Sequence, residues 1–172
     1  LERLRMRPDG AYDEAPKAII FPNINRHLCQ ALLDFAKQWD IHPKIYFSIA
    51  LKENNFGLTT ASNQGAMGIL QIMPQTARYL EQRYNYSKSF TDFPKDSPER
   101  TWHLLKLGAH NIHRIKEDLV LDINYDKMEV IDFIALLIAY NKGVYGLTEE
   151  LHKSLKRNGG EARTYVNIGL AG

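Results

Sequence analysis

Apolar positions recur every three or four residues through most of this chain. Leu28, Leu32, Phe35 and Trp39 form one such row, with Asn25 placed as its N-cap. A second helix is expected from His42-Pro43, because proline suits the first helical position. On it Tyr46, Ile49, Ala50 and Glu53 share a face. Gly57 to Gly68 reads as a loop with room for a small β-ribbon. Pro74 opens a third helix through Ala77 and Leu80. Pro98, capped by Ser97, opens a fourth with Leu104, Leu105, Gly108, Ile112 and Ile115 inward. A fifth is predicted from about Lys127 with the stripe Met128, Ile131, Ala135 and Ile138, ended by Gly143 in a left-handed cap. Leu147, Leu151 and Leu155 suggest a sixth, broken at Gly159-Gly160, before a short terminal segment around Tyr165 and Val166. Residues 1–22 are charged and interrupted by Pro8, Gly10, Pro16 and Pro22, as in an irregular arm or linker. The pattern therefore predicts a mainly α domain over residues 23–172, with at most a minor β element.

Composition narrows the class. At 172 residues the chain suits one domain with a single substantial core. No run approaches the ~20 apolar residues of a membrane span, so a soluble, globular domain is expected. The net charge of +2 is too small for the basic footprint of a nucleic-acid binder, though it suits an anionic wall polymer. The one cysteine, Cys29, excludes an internal disulfide and reads as a buried, inert side chain on the first helix. The chain opens Leu1-Glu2-Arg3 with no apolar signal core, as in a mature form or an excised domain whose export signal is already gone.

Candidate chemistry gathers between Glu53 and Ala77. Glu53 continues an apolar helix face, where desolvation would favour the protonated acid that glycosidic cleavage requires. Taken alone, a solvated helix-end glutamate is the plainer reading. Gly65-Ala66-Met67-Gly68 then offers a tight turn or close backbone approach to a ligand. Ser62 and Gln71 carry groups suited to sugar hydroxyls and N-acetyl amides. Phe56 and Met73 carry apolar faces on which a sugar could lie. Each of these also reads singly as turn or core. His103, His110 and His113 share a helix but lack a third ligand at zinc spacing, so no metal is expected. No phosphate-binding glycine loop is present, and the basic residues are scattered.

The order of these residues resembles the lytic transglycosylase family. That family has E-S-x-F followed by S-x-x-G-A-x-G-L-M-Q-x-M-P-x-T-A. This chain reads Glu53-Asn54-Asn55-Phe56, then Ser62-Asn63-Gln64-Gly65-Ala66-Met67-Gly68-Ile69-Leu70-Gln71-Ile72-Met73-Pro74-Gln75-Thr76-Ala77. Ala139-Tyr140-Asn141-Lys142-Gly143 matches A-Y-N-x-G, and Glu161-Ala162-Arg163-Thr164-Tyr165-Val166 is similar to E-T-R-x-Y-V. The blocks run in family order over about Ile24 to Leu170. Departures are Asn54 for serine, Ile69-Leu70 for leucine-methionine, Lys142 for a small residue, and a degraded N-I-x-L-G-x-x-Y-L around Gly108.

The resemblance implies a goose-type lysozyme fold with a long substrate groove, and makes residues 23–172 the catalytic domain. It implies cleavage of the β-1,4 bond between N-acetylmuramic acid and N-acetylglucosamine in peptidoglycan. Glu53 would be the acid and then the base, with no cofactor. Ser62, Gln71, Tyr140 and Asn141 would position the substrate, with Phe56 and Met73 beside them. A periplasmic or envelope location follows, with glycan strands as the partner and cell-wall or secretion machinery left open. A lysozyme-like hydrolase and a non-catalytic glycan-binding or secretion-assembly module of the same fold remain the alternatives.

Overall fold

A computed structural model describes residues 26–54 and 65–143. Its elements are α1 (Arg26–Gln38), α2 (Pro43–Asn54), α3 (Pro74–Arg83), a 3-10 helix (Phe90–Asp92), α4 (Pro98–Leu119) and α5 (130–143). Among the described residues, β structure is limited to two antiparallel bridges, Met67–Ile72 and Ile123–Met128. The described residues are therefore mainly α, as the apolar pattern predicts. The chain divides into two compact units, Leu1–Asn111 and Ile112–Gly172. The expected arm over residues 1–22, the Asn25 cap and the sixth helix lie outside the described residues.

In the first unit α1 packs against α2. Leu28, Ala31, Leu32, Phe35 and Ala36 are buried on one helix; Ile45, Tyr46, Ile49 and Ala50 are buried on the other. Burying each large side chain stabilises by about 1.5–3 kcal/mol. The Tyr46 hydroxyl donates to the Ala109 carbonyl at 3.2 Å, which ties α2 to α4. A neighbouring cluster joins Ile72, Ala77, Leu80, Phe90, Leu104 and Leu107. Pro74 opens α3 and Pro98 opens α4, as expected. Ser97 Oγ accepts from the Arg100 N–H at 3.1 Å, so the fourth helix is capped as its sequence predicts.

Helix ends are less obvious in the sequence. α1, α3 and α4 all close through a six-to-one backbone bond around a left-handed residue. The bonds are Ile41 N–H to Ala36 O at 2.9 Å, Tyr86 N–H to Glu81 O at 2.9 Å and Leu121 N–H to Lys116 O at 3.1 Å. The left-handed residues are Asp40, Asn85 and Val120, with φ of 49°, 52° and 51°. Asp and Asn tolerate that region; a β-branched valine is strained in it.

Two expectations need correction. α5 starts at residue 130, not near Lys127, and its buried face is Asp132, Ala135, Leu136 and Ala139. Of the predicted stripe Ala135 is buried as expected and Ile138 is half-buried, but Ile131 is exposed and Met128 precedes the helix, bridged to Ile123. The physical reason is Asp132. Its carboxylate accepts from the Asp122 N–H at 2.6 Å, which draws an acidic residue into the interior as an anchor for the preceding loop. Gly143 does adopt the expected left-handed conformation, at φ 74°. Cys29 is only half-buried rather than buried. Desolvation raises its thiol pKa, so it stays protonated and poorly nucleophilic.

Candidate active site

Glu53 lies in the last turn of α2, one helical period beyond the buried residues Tyr46, Ile49 and Ala50. For Glu53 the description ends at the backbone. Phe56 and Ser62 lie outside the described residues.

The chain re-enters at Gly65, and the next eight residues make a tight reversal. Met67 and Ile72 exchange both backbone hydrogen bonds at 2.9 Å. Gly68 and Gln71 take positive φ, 76° and 50°, to close the turn between them. At Gly68 a glycine is needed twice over, because an added Cβ would also stand 3.1 Å from Leu104 Cβ. The turn is seated by Leu70, which is 1% exposed. Leu70 lies against Gly108 on α4 so closely that a Cβ there would fall 2.7 Å from Leu70 Cβ. That contact accounts for the surviving glycine of the otherwise degraded mid-domain motif.

The seat orients Gln71. Its backbone N–H and its side-chain Nε2 both donate to the Gly68 carbonyl, at 3.2 and 2.8 Å. The amide is thereby fixed with Oε1 as the end open to an incoming donor. Ile72 turns back into the core, and Met73 emerges, 41% exposed, as the extended residue before Pro74. Gln71 and Met73 therefore flank one turn–helix junction. Tyr140 and Asn141 stand in the second unit near the C-terminal end of α5. Tyr140 is half-buried beside the buried Ala139, and Asn141 is exposed.

A buried polar network behind α3 was not foreseen. Glu81, at 9% exposure, accepts from the Phe90 N–H at 2.7 Å, Ser89 Oγ at 2.8 Å and His103 Nε2 at 2.9 Å. Burial lowers the His103 pKa, against the opposing pull of Glu81, so the ring is neutral and donates from Nε2. The sequence carries a signal for this: Glu81 follows Ala77 by four residues and so falls on the buried row of α3. The other two histidines have different partners. His110 Nδ1 is 2.7 Å from the Tyr86 hydroxyl, and His113 Nε2 is 3.1 Å from Glu117. The His110 ring stacks with both Trp39 and Tyr84.

The family model for the transglycosylase SLT domain matches residues 31–162, and the chain belongs to that family. The match takes in Glu53, the Gly65–Met73 reversal and the Ala139–Gly143 block. Neither a curated protein nor a solved structure matches the chain. Membership assigns the protein a function of the lytic-transglycosylase type, with peptidoglycan of the cell envelope as the family's substrate. No described helix is long and apolar enough to cross a membrane.

Proposed function

We propose that the chain is a peptidoglycan lytic transglycosylase that cleaves the N-acetylmuramic acid–N-acetylglucosamine bond without water. The family match across Glu53 and the Gln71 turn carries this reading. Residues 23–172 act as the catalytic domain, in the periplasm or at the envelope.

Glu53 protonates the bridging oxygen, and the bond from that oxygen to C1 of the muramic acid breaks. The substrate's own N-acetyl oxygen closes on C1 from the other face. The Glu53 carboxylate then takes the proton of the C6 hydroxyl, whose oxygen displaces the N-acetyl oxygen and forms the 1,6-anhydro ring. Glu53 ends protonated, as it began. Both attacks are intramolecular and gain from high effective molarity. A hydrolase would need a second carboxylate to act as nucleophile or to activate water. In the matching blocks Glu53–Phe56, Ser62–Ala77 and Ala139–Gly143, Glu53 is the one carboxylate.

Gln71 is the best-supported positioning residue. Its amide is pinned through Nε2 to Gly68, so Oε1 can accept from a sugar hydroxyl or N-acetyl N–H without an ordering cost. Met73 and Phe56 give the sugar apolar faces. Ser62, Tyr140 and Asn141 complete the set.

Mass spectrometry of digested peptidoglycan tests the reading. The expected product is 1,6-anhydromuramoyl glycan, one water lighter than a lysozyme product and lacking a reducing end. Mainly reducing-end muropeptides would replace it with the hydrolase reading. No cleavage by the folded protein would favour the binding module.

A further inference from the structure

Cations gather around two aromatic rings on the face formed by α3, the 3-10 helix and the start of α4. The guanidinium carbons of Arg78 and Arg100 lie 5.6 and 5.3 Å from the centroid of the same ring, Phe90. Lys88 Nζ lies 5.6 Å from the centroid of Phe93. The three cations come from three different segments, and Phe90 and Phe93 bracket the 3-10 helix that holds them together.

None of the three is neutralised by an ion pair among the described residues. Arg100 makes one long hydrogen bond, 3.4 Å, to the Phe93 carbonyl. The acidic groups on the same segments are otherwise engaged or exposed. Both Glu81 oxygens are taken by Ser89, Phe90 and His103. Asp92 Oδ2 accepts from the Ser89 N–H at 2.7 Å. Asp96 and Glu99 are exposed and pair with none of the three. A guanidinium held over a ring keeps N–H donors that the ring does not use, and these can donate to an oxyanion.

The geometry points to a carboxylate-binding subsite at Arg78, Lys88 and Arg100 that holds the acidic peptide stems of peptidoglycan. This rests on peptidoglycan as the substrate, and not on Glu53 or on the lyase chemistry. A few discrete carboxylates fit three cations placed about two rings. A long polyanion would call for a charge excess over the whole surface, and the chain carries only +2.

The test is sedimentation of the Glu53→Gln protein with insoluble peptidoglycan, so that the ligand is not consumed. Binding is compared between stem-bearing peptidoglycan and the same material stripped of stems by an amidase. Stem-bearing material should bind about tenfold more tightly, the value of one good charge-assisted contact. Adding Arg78→Gln and Arg100→Gln should erase that preference, and raising salt should weaken it, since exposed charges are screened. If the double substitution unfolds the domain, the protein with both arginines intact is tested on stems whose carboxylates have been converted to amides; the preference should again vanish. Equal binding to intact and stripped material would overturn the proposal. So would a preference for amidated stems equal to that for acidic ones, or tighter binding to a phosphodiester wall polymer or anionic vesicles than to stems. Because no turnover is measured, these results stand apart from any failure of the cleavage assay.

Discussion

Gly108→Ala tests the seat of the Gln71 turn. In the interior of a helix this exchange normally stabilises by about 1 kcal/mol, because alanine has the better propensity. Here the new Cβ would meet Leu70 at 2.7 Å (Cβ), 2.9 Å (Cδ1) and 3.3 Å (Cγ). The nearest atom is Leu70 Cβ, fixed to the backbone, so rotamer change alone cannot relieve the overlap. Overpacking of this kind costs about 1–3 kcal/mol, and the backbone demand here favours the upper end. The net expectation is a loss of about 1–2 kcal/mol. For a domain of this size that lowers Tm by about 2–8 °C, at roughly 2–4 °C per kcal/mol. The displaced Leu70 also drags its neighbour Gln71, so peptidoglycan cleavage should fall further than the unfolded fraction explains. Thermal denaturation and a turbidity assay read the two effects. A Tm equal to or above that of the parent would show that the turn is not seated on α4, and would refute the account of Gln71.

Other substitutions probe separate parts of the molecule. Glu53→Gln should leave Tm near the parent value and cut cleavage by about 10²- to 10⁴-fold, the usual loss with one acid catalyst; near-parental turnover would remove Glu53 from the mechanism. Val120→Gly relieves a β-branched residue at φ 51° and gives up little burial, since Val120 is 74% exposed. Urea unfolding should show a gain of about 1 kcal/mol, and a loss would mean that the left-handed cap is not strained. His103 titrates below its unfolded value of about 6.5, so its contribution is complete above that pH and is lost as the pH falls through the folded pKa. His103→Gln should therefore flatten the decline in stability on the acid side of pH 6.5, and parallel curves for the two proteins would count against a neutral buried ring.

Much of the helical framework was legible from local rules. Pro74 and Pro98 mark starts because proline needs no N–H partner there, and Ser97 caps because its hydroxyl can reach the Arg100 N–H. The rows on α1, α2 and α4 follow from a helical period of 3.6 residues. The family was legible too, because its blocks are contiguous and ordered along the chain.

What the sequence did not disclose depends on partners distant along the chain. Three helices stop at Asp40, Asn85 and Val120 without glycine, and only the six-to-one backbone bonds reveal those stops. The buried face of α5 was only partly read because an apolar-stripe argument excludes Asp132, whereas the bond it accepts from the Asp122 N–H favours its burial. Glu81 was passed over for the same reason: a carboxylate is assumed to seek water unless its donors are known. The fit of Leu70 onto Gly108 joins positions 38 residues apart, and no local pattern reports a 2.7 Å approach. Sequence by itself determined which residues could do the chemistry and the helices that carry most of them. Tertiary structure decided which polar groups are buried, how Gln71 is aimed and where unpaired cations gather, because burial and hydrogen-bond satisfaction belong to the packed chain.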